Sequence, residues 1–168
     1  MKGKIKMKKA AIIFCLLILG AGQILSQKFW SPREIALDTY SHPVPFKLGG
    51  EICLAYEVHI TNMDTYPISI NKIEVCTNGS DVPFKTYSNE LLKKSLSRIG
   101  VPGSNANDSI VHPGQRAILH VMLSFKNKEK LPAKLSHQVS YSFIKVDNTE
   151  EKAMTRGGEI DIDMKNNA

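Results

Sequence analysis

The sequence predicts a mainly β protein, an antiparallel immunoglobulin-like β-sandwich with one short inserted helix, after an N-terminal signal peptide. Three observations predict it. Apolar and polar residues alternate with a period of two over several stretches, clusters of Pro, Gly, Asn and Asp separate these stretches, and a single short stretch has helical spacing. Residues 27–168 have the usual size of one domain, and 51–146 is the best-patterned part of its core.

The N-terminus has the layout of a secretory signal peptide. Five lysines lie within the first nine residues, and the apolar block Ala10 to Gly22 follows them directly. This block is shorter than the roughly 20 residues that span a bilayer. We therefore expect a signal peptide at 1–26, with cleavage after Gly22 or Ser26, and a mature domain in the periplasm or outside the cell. The alternative is an uncleaved segment that anchors the chain to the membrane through residues 10–25.

The charge balance changes when this segment is set aside. The whole chain has 22 Lys and Arg against 16 Asp and Glu, but five of the lysines lie in 1–26, which leaves 17 basic residues against 16 acidic ones. A nearly neutral mature region lacks the basic patch that nucleic acids require. We therefore predict no nucleic-acid partner, and a membrane partner only if the N-terminal segment is retained.

The strands follow in chain order. An early strand is predicted at Glu34 to Asp38. The clearest alternation runs from Glu51 to Thr61, and a second strand begins at Ile68, where a change of phase near Asn71-Lys72 indicates a β-bulge. Paired as a hairpin, these two strands would place Cys53 opposite Cys76 on one outward face. Since an exported protein can form disulfides, we predict a Cys53–Cys76 bond, with two free thiols as the alternative.

The remaining elements come after a predicted helix. Ser88 is a candidate N-cap for a short amphipathic helix that would end at Gly100, and Gly100 to Ser109 is a predicted loop. Alternation then predicts strands at Arg116 to Phe125, Ser136 to Val146 and Glu159 to Met164. His137 lies in phase with apolar residues of its strand, so we expect a buried, neutral histidine; Tyr56, also inward, needs a hydrogen-bond partner.

Candidate metal ligands are few. The five histidines form no recognised zinc spacing. His120 and Met122 lie two residues apart on one strand face, as a soft copper site would need, and His59 could supply a third ligand if its strand lies close by. Copper binding at His59, His120 and Met122 is therefore the alternative to a surface without bound metal, and we predict no cofactor.

Signals for catalysis are also weak. The sequence has no Gly-x-Ser-x-Gly motif and no cysteine in a setting that activates a thiolate. The acidic residues at 150–151 and on the strand from Glu159 read as solvent-exposed carboxylates. The sequence therefore predicts that the protein is not an enzyme.

One part of the chain resembles a known family. The stretch Leu54 to Asn62, then Pro67, Lys72 to Val75, Pro113-Gly114 before Ala117 to Leu123, and Leu131-Pro132 with Leu135 and His137 resemble the N-terminal accessory β-domain of secreted bacterial M23 (lysostaphin/LytM-type) peptidases. The resemblance covers about 51–146. In that family the zinc ligands lie in a following domain, in a His-x-x-x-Asp and a His-x-His motif that this chain lacks, so the resemblance implies an accessory domain without catalytic residues.

These expectations combine into two hypotheses of function. The first is a non-catalytic exported module that binds or scaffolds an envelope protein or a cell-wall component, with an edge strand as a possible contact. The second is a periplasmic copper protein, or an enzyme whose site is not visible as a motif.

Overall fold

The computed structural model describes residues 35–77, 80–100, 109–126 and 131–164. The predicted signal peptide at 1–26, the first residue of the predicted early strand, most of the loop between Gly100 and Ser109 and the C-terminal tail lie outside the described residues. The described elements are β1 Ile35–Asp38, β2 Phe46–Leu48, β3 Glu51–Asn62, β4 Ile68–Thr77, β5 Pro83–Ser88, α1 Asn89–Ser95, β6 Leu96–Arg98, β7 Ile110–Val111, β8 Arg116–Phe125, β9 Lys134–Ile144 and β10 Glu150–Asp161.

The strands form two antiparallel sheets. The first sheet has the order β1-β3-β8-β6, with β2 also paired to β3, and the second has the order β10-β9-β4-β5, with β7 also paired to β4. Read as strands A, B, E and D in the first sheet and C, F and G in the second, this order is that of an immunoglobulin-type sandwich. The predicted fold class is therefore confirmed.

The core lies between the sheets and follows from the period-two pattern. Leu54, Val58 and Ile60 on β3 are fully buried, and so are Ile73 and Val75 on β4. They belong to one apolar cluster that includes residues of β8, β9 and α1. Burial of a side chain of this size contributes about 1.5–3 kcal/mol, so this alternation is the main source of stability.

The predicted hairpin between β3 and β4 is wrong. β3 pairs with β8, where Tyr56 is opposite Val121, and β4 pairs with β9, where Ile73 is opposite Val139. The chain crosses from one sheet to the other between β3 and β4. Alternation fixes which residues point inward on each strand, but it does not show whether two successive strands pair or face each other.

Asn62 holds this crossing in place. Its side-chain amide donates to the carbonyls of Tyr66 and Val111, both at 2.8 Å, and its Oδ1 accepts from the backbone N–H of Asp64 at 2.9 Å. Its own backbone N–H donates to Gln115 O at 3.0 Å. One fully buried polar residue therefore connects the end of β3, the following turn and β7.

Other predicted elements are confirmed with changed bounds. The register of β4 against β9 shifts between Ile70 and Lys72, where the bulge was predicted. The helix ends at Ser95, before the predicted stop at Gly100, because Leu96 adopts an extended backbone and pairs with Leu119 on β8. Ser88 precedes the helix with an extended backbone, but its side chain makes no capping bond.

The last strand is longer than predicted. β10 begins at Glu150, whereas alternation predicted a strand only from Glu159. Its inward positions are occupied by Glu151, Ala153 and Thr155, which carry little apolar signal. A register shift between Gly157 and Ile160 divides the strand, and Gly158 has a positive φ of 58° at this bulge.

Candidate functional site

The outward face of the first sheet carries all three predicted metal ligands. On β3 the outward residues include Ala55, Glu57 and His59, since they alternate with the buried residues of that strand. On β8 they include His120 and Met122, with Glu57 opposite His120 and Ala55 opposite Met122. This face divides into a polar half and an apolar half.

The polar half is organised by Glu57. Its carboxylate accepts from His59 Nε2 at 3.3 Å and lies 3.4 Å from His120 Nδ1. Ser97 on β6 lies 3.0 Å from His120 Nε2. In the tautomer with its proton on Nδ1, the side nearest the carboxylate, His120 accepts at Nε2 from the serine hydroxyl. The ring of Tyr40 contacts the His59 ring edge-on, with centroids 4.6 Å apart.

This arrangement partly matches the predicted copper ligands. The structure brings His59 and His120 together, but around a carboxylate that the sequence reading did not include. Met122 lies on the same face, two residues beyond His120 on β8 and opposite Ala55. Within the described ranges, no group of three or more His, Cys, Asp or Glu side chains is suited to hold a metal ion.

The apolar half consists of Phe46, Leu48, Ala55 and Met122, which we call the apolar patch. Phe46 and Leu48 lie on β2, which pairs with β3 at Cys53 and Glu51. Their exposed fractions are 40% for Phe46, 58% for Leu48 and 43% for Met122. Single exposed apolar residues are ordinary, but several that share one face of a sheet are typical of a contact surface.

A groove continues the apolar patch around the edge of β8. It has a volume of about 450 Å³ and is lined by Phe84, Lys85 and residues 122–126. The exposed ring of Phe84 contacts the ring of Phe125 edge-on, at 5.6 Å between centroids. The lining includes two lysines and no carboxylate.

The groove lies beside a strand edge that is only partly covered. The N–H of Met122 donates to the Tyr87 hydroxyl at 3.2 Å, and its carbonyl accepts from Lys85 Nζ at 2.8 Å. The N–H and C=O groups of Met122 therefore point away from β3. Because these groups alternate in direction along a strand, those of Ser124 also point away from β3. Since β6 pairs only with residues 117–119, the edge at Ser124 opens into the groove.

The two cysteines among the described residues do not approach each other. Both are buried and free. Cys53 lies on the outward side of the first sheet, opposite Ser124, and Cys76 on the outward side of the second, opposite Ser136. Packed sheets lie about 10 Å apart, so thiols on their outer sides are too far apart for the predicted bond. Burial raises the pKa of the Cys76 thiol above its usual value.

The buried histidine and tyrosine meet in the core. The Tyr56 hydroxyl donates to His137 Nε2 at 2.9 Å, and His137 Nδ1 donates to Gly158 O at 2.8 Å. The carbonyl can only accept, which places the ring proton on Nδ1. Burial lowers the pKa of His137 to about 4 and raises that of Tyr56 well above its usual range. The predicted burial of His137 is confirmed, and with every ring nitrogen bonded its role is structural.

Sequence reasoning missed several residues of this site. Glu57 was seen only as one polar member of an alternating strand, and Phe46 and Phe84 lie on strands that were not predicted. Neighbouring prolines obscured both strands, at Pro43 and Pro45 before Phe46 and at Pro83 before Phe84. The two phenylalanines were the signal in the sequence that could have indicated these strands.

Among the described residues, no helix is long and apolar enough to cross a membrane.

Comparison with known proteins is limited to overall shape. No family model and no curated protein matches the chain. The putative ApaA protein from Bordetella pertussis is 13% identical, over 79% of this chain and 98% of that chain, with a TM-score of 0.43. A FixG-related protein from Vibrio parahaemolyticus is 13% identical, over 78% and 96%, with a TM-score of 0.32. Neither indicates a function for this chain.

Proposed function

We propose that this protein is a non-catalytic β-sandwich module of the bacterial cell envelope, exported by its N-terminal segment, which binds or scaffolds another envelope protein. The apolar patch carries the proposal. It places exposed Phe46, Leu48 and Met122 on one face beside an open strand edge, where a partner can bury apolar side chains and add backbone hydrogen bonds. The resemblance to M23 accessory domains and the periplasmic location belong to the same proposal.

The chemistry of the face supports binding over catalysis. The two histidines near Glu57 are held by that carboxylate and by Ser97. The buried His137 has both nitrogens engaged, and both described cysteines are buried. Among the described residues, the exposed groups beside the groove are apolar side chains, lysines and a serine, which suit recognition.

Site-specific photo-cross-linking tests the proposal. A photoreactive residue replaces Met122 in the full-length chain, in cells of its own host, and a matched variant carries it at Asn71, an exposed position of the second sheet. We expect an adduct with one other envelope protein from position 122 only. The further change Phe46→Asp should abolish it without lowering the unfolding temperature. Equal adducts from both positions, or an adduct that survives Phe46→Asp, would contradict the proposal.

Copper binding is the alternative, because His59, His120 and Met122 share this face. Titration of the full-length chain with Cu(I) and Cu(II), followed by thermal unfolding, separates the two functions. A binding module has the same unfolding temperature with and without copper. A stabilisation that His120→Ala removes would favour the copper protein.

A further inference from the structure

The free edge of β10 is an exposed strand edge of the second sheet. β10 ends the order of that sheet, and between Glu150 and Arg156 its only strand partner among the described residues is β9. Near its end it contacts the first sheet, where the hydroxyl of Thr39 donates to Glu159 O at 3.1 Å. The stretch 150–156 therefore presents unpaired backbone groups to the surroundings.

The β9–β10 turn shows which backbone groups face outward. Lys145 N–H donates to Thr149 O at 3.0 Å, and Asn148, with a φ of 62°, donates to Lys145 O at 2.9 Å. Residues 145 and 149 therefore form a hydrogen-bonded pair. In an antiparallel ladder such pairs alternate, so odd-numbered residues of β10 bond to β9. The N–H and C=O groups of four even-numbered residues point to the free edge: Glu150, Lys152, Met154 and Arg156.

We propose that a second copy of this chain binds this edge, antiparallel, about a two-fold axis at Ala153. Glu150 of each copy then lies opposite Arg156 of the other, and Lys152 lies opposite Met154. All four edge-facing residues take part, and each pair exchanges two backbone hydrogen bonds. The second sheets of the two copies become one continuous sheet, and the contact is isologous, as two-fold symmetry requires.

Charge selects this register among the possible ones. If the two-fold axis moves from residue 153 to residue 152, Lys152 lies opposite its own symmetry mate. If the axis moves to residue 154, Lys152 lies opposite Arg156. Like charges directly opposite each other destabilise a strand pair, whereas the proposed register joins a carboxylate to a guanidinium twice. The aliphatic stem of Lys152 can lie along the exposed Met154 side chain while its ammonium group stays in water.

The present contacts of Arg156 are compatible with this pairing. Its Nη2 donates to Asp81 Oδ1 at 2.6 Å, to Gln138 Oε1 at 3.2 Å and to Ser80 O at 3.3 Å. A guanidinium has five N–H donors, so it can hold a second carboxylate without losing the first. These contacts hold the Nη2 end of the guanidinium over β9, since Gln138 lies opposite Arg156 on that strand.

A cross-link across the axis tests the proposal directly. In the proposed pair, residue 153 faces its symmetry mate without hydrogen bonds, at a Cα separation of about 4.5 Å that suits a disulfide. Full-length Ala153→Cys should form a disulfide-linked dimer under mild oxidation. The matched variant Met154→Cys, whose residue does not face its own mate, should form far less. Equal cross-linking of both variants, or none of Ala153→Cys, would overturn the proposal.

Charge exchange gives a second measurement, which does not depend on oxidation. In sedimentation experiments on the full-length chain, Glu150→Arg should raise the dimer dissociation constant about tenfold, which corresponds to about 1.4 kcal/mol. The double variant Glu150→Arg with Arg156→Glu should restore dimerisation. Monomeric wild-type protein, or a double variant as weak as the single one, would count against the pairing. If Arg156→Glu lowers the unfolding temperature, the dissociation constant of Glu150→Arg and the Ala153→Cys cross-link decide whether the pairing exists.

Discussion

At the scale of single residues, His137 shows how far the pattern of a strand predicts chemistry. Its phase with Val139 and Tyr141 predicted burial, and burial with two hydrogen bonds predicts a neutral ring. The partners could not be predicted in the same way. Tyr56 lies 81 residues away in sequence on the opposite sheet, and Gly158 lies on a bulge that no periodicity marks.

The buried His137 makes stability depend on pH. Its folded-state pKa is about 4, below the value of about 6.5 in an unfolded chain, so the unfolded state binds more protons between these values. The stability is fully present above pH 6.5 and is lost as pH falls towards 4. Between pH 7 and pH 5 we expect a loss of about 2 kcal/mol.

Urea unfolding of the full-length chain at both pH values measures this loss. His137→Gln should reduce the difference, whereas His112→Gln, at an exposed position, should leave it unchanged. Identical unfolding free energies of the wild-type protein at pH 7 and pH 5 would contradict the assignment of a buried neutral histidine.

Asn62 gives the second prediction at this scale. Asn62→Ala removes the donors to Tyr66 O and Val111 O and the acceptor for Asp64 N–H. Buried polar groups left unpaired cost about 1–3 kcal/mol each, so we expect a loss of about 3 kcal/mol in urea unfolding. Thr65→Ala, in the exposed part of the same turn, serves as the control and should cost far less. Similar losses for both variants would show that Asn62 does not hold the crossing.

At the scale of elements, the sequence predicts strands better than strand partners. β3 and β8 were predicted within one residue of their bounds because every second residue of each strand is apolar and faces inward. β10 was largely missed, since its inward positions hold Glu151, Ala153 and Thr155. Its position depends on pairing with β9 and on the contact of His137 with the bulge, which are tertiary effects.

The bulge in β10 provides the prediction for this scale. At Gly158, φ is 58° and an added Cβ would lie 3.2 Å from His137 Nδ1; at Gly157 the nearest atom would be Leu37 Cβ at 3.5 Å, an ordinary contact. Gly158→Ala should therefore cost about 1–2 kcal/mol from backbone strain alone. Gly157→Ala is the matched control and should cost less. A reversed order in thermal unfolding would contradict the role of Gly158.

At the scale of the whole molecule, composition and turn spacing predicted a two-sheet sandwich with one helix, and the described residues form two sheets and one helix. The assignment of strands to sheets was beyond the sequence. Alternation looks the same for a strand that pairs with its neighbour and for one that faces it across the core. The predicted Cys53–Cys76 bond depended on that distinction. The apolar patch depends on the pairing of β2 with β3, which places Phe46 and Leu48 on the outward face of the first sheet.

Free cysteines make a prediction for the whole molecule. Because Cys53 and Cys76 lie on the outer sides of different sheets, a reducing agent should leave the thermal unfolding of the full-length chain unchanged. Thiol titration of the unfolded full-length chain should detect Cys53 and Cys76, in addition to Cys15, without prior reduction. A lower unfolding temperature after reduction would show that a disulfide forms.

The crossing between β3 and β4 also determines the order in which contacts can form. The hairpins β4–β5 and β9–β10 close over short loops, whereas β3 pairs with β8, with Leu54 opposite Leu123, only after a long intervening segment has been brought together. Loop closure opposes such distant pairings, and sandwiches dominated by them fold in milliseconds to seconds. Each sheet therefore has local hairpins, β2–β3 in the first and β4–β5 and β9–β10 in the second, while the long-range pairings β3–β8 and β4–β9 that complete the two sheets are expected to form last.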